Sequence, residues 1–135
     1  MKKIIPILTV VFVAACFYQC TSEERILKRA LLHVAAELNA ATPVMLDEYT
    51  RFDRAEVIFT PERVFRYHYT IVNTLNPDSL LQSWLHQLKE TTRTVYFTAP
   101  EMAIFRENGI VIEYVYSDES GRVIQTIRIT PEDYN

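Results

Sequence analysis

The chain has 135 residues, 49% of them hydrophobic and 23% charged, with a formal net charge of −3. That length is one domain's worth at roughly 100 to 200 residues per domain, and the composition excludes a disordered tail or a coiled coil. Gly109 and Gly121 are the only glycines, which excludes the phosphate-cradling loops that need several close together.

Lys2 and Lys3 form a basic start, Ile4 to Val13 is an uncharged apolar run broken only by Pro6 and Thr9, and small residues follow at Ala14 and Ala15. This is the pattern of a secretory signal. A spanning helix needs about 20 apolar residues, whereas the uncharged stretch to Ser22 contains Pro6, Gln19 and several small polar groups. A permanent single-pass anchor is therefore the weaker reading. The segment Val13-Ala14-Ala15-Cys16 resembles the lipobox of bacterial lipoproteins. The resemblance implies that Cys16 becomes the mature N-terminus, its sulfur joined to lipid by a thioether and its amine acylated. Phe17 rather than aspartate follows, which by the same resemblance implies an outer-membrane anchor facing the periplasm. The alternative is ordinary signal cleavage after Ala15 or a little later, with Cys16 and Cys20 left as thiols or as a short-loop pair. If Cys16 is acylated, Cys20 is an odd thiol in an oxidising compartment. No neighbouring cation activates it, so it receives no catalytic role.

Subtracting Lys2 and Lys3 from the 14 basic residues leaves 12 against 17 acidic ones. That balance argues against nucleic-acid binding and against a polybasic membrane contact. The arginines are dispersed among acids, as in Arg51-Phe52-Asp53-Arg54-Ala55-Glu56, and read as a solvated mixed-charge surface. The expected organisation is a signal peptide over 1–15, a lipidated tether over 16–22 and a single α+β domain over 23–135.

In Thr21-Ser22-Glu23-Glu24 the capping-box pattern predicts a helix start. Ile26, Leu27, Ala30, Leu31, Val34 and Leu38 then recur at helical spacing, and the helix is expected to end near Asn39, before Pro43. Residues 43–54 read as a structured connection in which Met45, Leu46, Tyr49 and Phe52 pack over the core. Glu56 to Thr60 and Arg63 to Asn73 read as strands joined at Pro61-Glu62. In the second, Phe65, Tyr67, Tyr69 and Ile71 alternate with Arg66, His68 and Thr70, which puts aromatic and polar groups on opposite faces. Asn76 caps a second helix with Pro77 at its first position and a stripe of Leu80, Leu81, Trp84, Leu85 and Leu88. Thr91 to Phe97 has the character of a short strand or extended link. A Pro-initiated helical turn over Pro100 to Phe105 stops at Asn108-Gly109. Last come strands over Ile110 to Ser117 and Arg122 to Thr130, joined by a hairpin loop with Gly121 at positive φ. The expected fold is α+β: an antiparallel four-stranded sheet of two hairpins with two main helices packed on one face.

The pairs His33 with Glu37 and His86 with Glu90 are four apart on helices, a chelating spacing. His86 and Glu90 lie opposite the leucine stripe, however, so an exposed His-Glu pair is the default and no metal is assigned. No serine sits in a Gly-x-Ser-x-Gly elbow, and no cysteine looks buried beside a histidine. The acid pairs Asp47-Glu48 and Asp118-Glu119 sit in connections, where adjacency serves solubility and turns rather than glycosidase chemistry. Neither an enzyme nor a cofactor is expected. The surplus lies in the tyrosines: Tyr67 and Tyr69, and Tyr114 and Tyr116, form two Tyr-x-Tyr pairs. If their strands are neighbours they make one aromatic cluster, either core beneath the helices or a binding face for a protein, peptide or glycan.

Taken together, Glu37-Leu38-Asn39, Pro43, Asp47, Thr50-Arg51-Phe52-Asp53, Tyr67-His68-Tyr69-Thr70, and Gly109 followed by Tyr114-Val115-Tyr116-Ser117-Asp118 resemble a family of small uncharacterised bacterial exported proteins and lipoproteins. The resemblance spans most of residues 30 to 131 and carries no established activity. Many members have a cysteine near the position of Phe97 to Pro100 and another near the C-terminus that could form a disulfide; here both are absent. Thr50, Arg51 and Asp53 suggest a polar lock on the connection between helix and sheet. The functional expectation is a lipid-anchored cell-envelope protein with a non-catalytic domain that binds an envelope protein, peptide or glycan. Its alternatives are a periplasmic inhibitor or immunity-type protein and a small periplasmic hydrolase. The first two predict an exposed apolar patch, the third a cleft with converging titratable groups.

Overall fold

The computed structural model describes the backbone of residues 4–134 and the side chains of residues 22–133. Cys16, Cys20 and the Val13-Ala14-Ala15 run lie outside the described side chains. Residues Met1–Val34 form one compact unit and Ala35–Asn135 another. The first is helical: α1 runs Ile4–Ala40, so the expected start at Thr21 is corrected. No glycine or proline interrupts the chain between Ile7 and Thr42, and a capping-box sequence does not end a helix whose preceding turn is already formed. No helix among the described residues is long and apolar enough to cross a membrane.

The second unit is built on a five-stranded mixed sheet in the order β1 (Val44–Met45), β2 (Thr50–Ile58), β3 (Val64–Ile71), β4 (Val111–Ser117), β5 (Val123–Ile129). The α+β class is as expected, and the two-hairpin antiparallel sheet is corrected. Pairs β2–β3 and β4–β5 are antiparallel, but β3–β4 is parallel. The cause is α2 (Pro77–Thr98), whose 22 residues cover about 33 Å at the rise of an α-helix. That carries the chain back to the end where β3 began, so β4 must run alongside β3 in the same sense. The segment Thr91 to Phe97, expected as strand or link, is the last part of this helix. Three of its threonines satisfy their hydroxyls within it, Thr92 donating to the Leu88 carbonyl (2.7 Å), Thr94 to Glu90 (2.9 Å) and Thr98 to Thr94 (2.6 Å). Fully buried Tyr96 repays the weak helix propensity of the β-branched run by an amount of order 2 kcal/mol. Its hydroxyl donates to the Ile110 carbonyl. Arg106, on α3 (Ala103–Glu107), closes the helix end by donating to the carbonyls of Tyr96 and Ala99 (2.7 and 2.8 Å). At its start Asn76 occupies the cap position without a side-chain cap bond, and Pro77 opens the helix. Gly109 and Gly121 both take positive φ, at the stop and the hairpin where they are expected.

The core lies on the sheet face under α2, where Phe65, Ile71, Ile112 and Leu81 are essentially inaccessible. Residues 43–54 are not a connection: they supply β1 and the first half of β2. Met45 and Leu46 do not pack over the core either, being 46% and 57% exposed. The proposed lock is also relocated. Arg51 pairs with Asp53 (2.6 Å) and Thr70 donates to the other Asp53 oxygen, so Asp53, which sits in the bulge between Phe52 and Arg54, ties β2 to β3. Thr50 instead donates its amide to Asp47 (2.8 Å). The tie from helix to sheet is Asn39. Its side-chain amide donates to the Ala55 carbonyl (3.0 Å) and accepts from the Ala55 amide (2.7 Å), standing in for a neighbouring strand where β1 has ended. Capping an edge in this way blunts unwanted pairing. Asn39→Ala strands both backbone groups and is expected to lower unfolding stability by about 1–2 kcal/mol in urea titrations. Asn39→Asp sets a carboxylate against the Ala55 carbonyl and is expected to cost at least as much.

Candidate functional site

The parallel register of β3 and β4 sets Tyr67 beside Tyr114 and Tyr69 beside Tyr116. Their rings stack at 5.1 Å and 9° and at 5.0 Å and 17°, with Phe52 against Tyr69 (5.4 Å) and Phe65 against Tyr67 (5.1 Å). Sequence alternation placed each pair on one face; the square itself required the unforeseen parallel junction. It is largely interior: Tyr114 and Tyr116 are 7% and 5% exposed, and Tyr67 and Tyr69 are half-buried. Burial disfavours the phenolate and pushes Tyr114 and Tyr116 up to about 12, and Tyr67 and Tyr69 higher still.

The opposite face carries a ladder of charges that no local pattern revealed. Glu56, Arg66, Glu113 and Arg128 are register partners across β2 to β5. Glu113, nearly buried, accepts from Arg66 and Arg128 (both 2.9 Å), and Arg128 reaches on to Glu62 (2.6 Å). Glu56 accepts from His68 at 2.8 Å. That hydrogen bond, aided by Arg54, His68 and Arg66, outweighs burial and holds the Glu56 carboxyl below its usual range. Charges of alternating sign neutralise one another here, so the ladder is a surface braced within itself rather than a site awaiting a ligand.

Tyr116 reaches the rim of the core, where a groove of about 360 Å³ opens between α2 and the loop that joins β1 to β2. Leu46, Trp84, Leu88 and Thr91 line it with Tyr116, and Asp47 stands at its edge. Tyr49 leans on Trp84 at 6.1 Å between ring centroids. Asp47 is held by its Oδ1, which accepts from the amides of Tyr49 and Thr50. The groove lies at the end of the sheet where β3 and β4 finish and β2 and β5 begin. Val44 and Met45 of β1 and Leu46 after them are exposed beside it; of the other exposed apolar side chains, Leu75 precedes α2 (99% exposed), Val123 opens β5 at the opposite edge of the sheet, and Ile26 and Leu32 lie on α1. The expectation of Met45 and Leu46 as core material missed this, because apolarity alone does not say whether a side chain is inside.

His86 and Glu90 lie on the exposed side of α2, and His33 and Glu37 are exposed on α1. Among the described residues no three His, Cys, Asp or Glu side chains converge as metal ligands would. The titratable groups lining the groove are Asp47 and Tyr116; the first is engaged by backbone amides and the second ionises only in strong alkali, so they do not make an acid–base pair for neutral pH.

A one-layer mixed sheet with its crossover helix on one face, an apolar groove at one end and a braced charged back make up a small α+β domain. The chain belongs to DUF8479, a domain of unknown function, whose family model matches residues 25–125. Two solved structures share the fold. A Pseudomonas aeruginosa protein described as secreted, PA3611, superposes with a TM-score of 0.64 at 14% identity, covering 76% of this chain and 88% of that one. The pilotin EpsS of the Vibrio vulnificus type 2 secretion system gives 0.62 at 15% identity, covering 85% and 97%. No curated protein sequence matches the chain.

Proposed function

We propose that this is a lipid-anchored cell-envelope protein, held by Cys16 in the outer membrane facing the periplasm, whose non-catalytic domain binds another envelope protein through the groove at Leu46, Trp84, Leu88 and Tyr116. The observation that carries the reading is the apolar groove lined by exposed Leu46 with Trp84, Leu88 and Tyr116, next to the exposed Val44 and Met45 of β1. Apolar surface left uncovered in a soluble domain marks a contact site when it is contiguous rather than scattered. In this reading Tyr116 is the member of the square that lines the groove, and Tyr69, Tyr114 and Tyr67 hold its ring in place through the stack behind it. The fold shared with a secreted protein and with a secretion-system pilotin supports an envelope setting. An inhibitor or immunity-type protein would use the same groove and differ only in what fills it. A hydrolase would need converging titratable groups, and the groove's lining does not supply them.

The test is a photo-crosslinking amino acid placed at Leu46 and at Gln87, which border the groove, and at exposed Glu101 and Glu107, which precede β4 at the opposite end of the sheet, in the native cell. Adducts of discrete mass from the first two positions and none from the others are expected, and Leu88→Glu should abolish them. Equal labelling from all four positions, or none, overturns the groove as the contact surface.

A further inference from the structure

The two edges of the sheet are finished differently. At one, β1 and the Asn39 amide cover β2. At the other, no strand among the described residues pairs with the outer side of β5, so alternate residues of a seven-residue strand present N–H and C=O groups that no neighbouring strand takes up, with the Thr126 carbonyl accepting from the Gln125 side chain. A separate groove of about 330 Å³ follows this edge, formed by Thr126 to Ile129 on one side and by Lys89 and Arg93 of α2 on the other, with Asp133 also in its lining, its carboxylate accepting from the Thr130 amide. Lys89 and Arg93 are one helical turn apart and so face the edge together. Arg93 already donates to a backbone acceptor, the carbonyl of Asp133 in the C-terminal turn. Arg128 is engaged by Glu62 and Glu113, whereas Lys89 has no ion-pair partner among those described.

We propose that the outer edge of β5 is a second docking surface, which accepts an extended acidic segment of another protein as a sixth strand whose carboxylates meet Lys89 and Arg93. Main-chain hydrogen bonds to β5 supply the affinity and the two cations the choice of partner, the division of labour usual when a strand is added to a sheet. A second copy of this chain is the poorer occupant: pairing β5 with β5 across a two-fold axis would bring Lys89 and Arg93 of both copies together. The surface is distinct from the Trp84 groove, and neither depends on the other.

The test uses the full chain in detergent with three fluorescein-labelled peptides: one alternating Val and Glu, one alternating Val and Lys, and the Val-Glu peptide with alternate amides N-methylated. The Val-Glu peptide should bind at low salt and slow hydrogen exchange of the β5 amides, with the Val-Lys peptide weaker by at least about tenfold. N-methylation should abolish binding, and Lys89→Glu should narrow or reverse the preference while leaving unfolding unchanged. Equal binding of both charge types, binding that survives N-methylation, protection that appears at the Leu46 groove instead of β5, or no binding at all overturns the proposal. So does a dimer in sedimentation whose β5 amides are already protected.

Discussion

Cys16→Ala is expected to abolish membrane association. In the wild type, mass spectrometry of protein taken from native membranes should find a mature N-terminus at Cys16 carrying acyl mass, and no residue before it. The physical reason is the arithmetic of acyl chains: each buried methylene contributes about 0.8 kcal/mol, so one chain holds a protein marginally and two or three hold it stably. The substitution removes the sulfur on which the thioether forms, and with it the whole of that affinity. Nothing in the mature chain compensates, since its balance is acidic and its basic residues are dispersed. An unacylated wild-type chain cleaved elsewhere would make this a free periplasmic domain and would return Cys16 and Cys20 to consideration as a thiol pair. The groove test is unaffected by that outcome, because its crosslinks report on residues 46 and 87 whether or not the chain is tethered.

Stability is expected to collapse between pH 10 and pH 12. Tyr67, Tyr69, Tyr114 and Tyr116 all have folded values raised above the ordinary 10.0, with burial the largest cause in each. The sign follows from which state ionises first. Below pH 10 both folded and unfolded tyrosines are neutral and their contribution is fully present. Above it the unfolded chain releases protons that the folded chain retains, and stability is lost as pH rises towards the folded values. A two-unit shift corresponds to about 2.7 kcal/mol for each tyrosine at pH 12, as an upper bound. Several such groups together match the whole stability of an ordinary domain, about 5–15 kcal/mol. Urea midpoints should therefore fall steeply over this window, and replacing all four residues by phenylalanine should flatten the fall. The chain has eight tyrosines, so the square's own phenolate absorbance is the difference between the wild type and this four-phenylalanine variant, and it should rise together with loss of structure rather than before it. If that difference instead rises near pH 10 while the fold persists, the square is open to water and the interior reading of it fails.

How much of this was legible can be argued residue by residue. The alternation from Phe65 to Ile71 and the β4–β5 hairpin at Gly121 depend on local periodicity and turn chemistry, which sequence carries directly. The parallel pairing of β3 with β4 does not, because it is decided by where the far end of α2 delivers the chain. That end is easily misjudged: Thr91 to Phe97 has strand-like side chains, and the burial of Tyr96 favours the helix against their weak propensity, a long-range effect that local pattern does not carry. The same missing register concealed the Glu56–Arg66–Glu113–Arg128 ladder, whose members lie on four different strands. The groove was hidden for another reason. Leu46 and Met45 look like core residues in composition, and a contact surface for a partner differs from a core only in what covers it. Asn39 was visible as part of a recurring pattern, but its task, completing the ladder of Ala55, depends on a strand ending two residues after it begins.

The parallel junction also has a consequence for how the chain folds as it is made. A chain emerging N-terminus first delivers β2 and β3 as a hairpin while β4, whose residues lie 47 positions further on at each register pair, is still to come. Through that interval the inner edge of β3 stays unpaired, and Tyr67 and Tyr69 lack the rings that stack on them in the finished domain. Closing so distant a pairing is slow compared with forming either hairpin. The half-emerged chain is thus the form most exposed to wrong pairing, because it displays an aromatic strand edge that the finished domain covers.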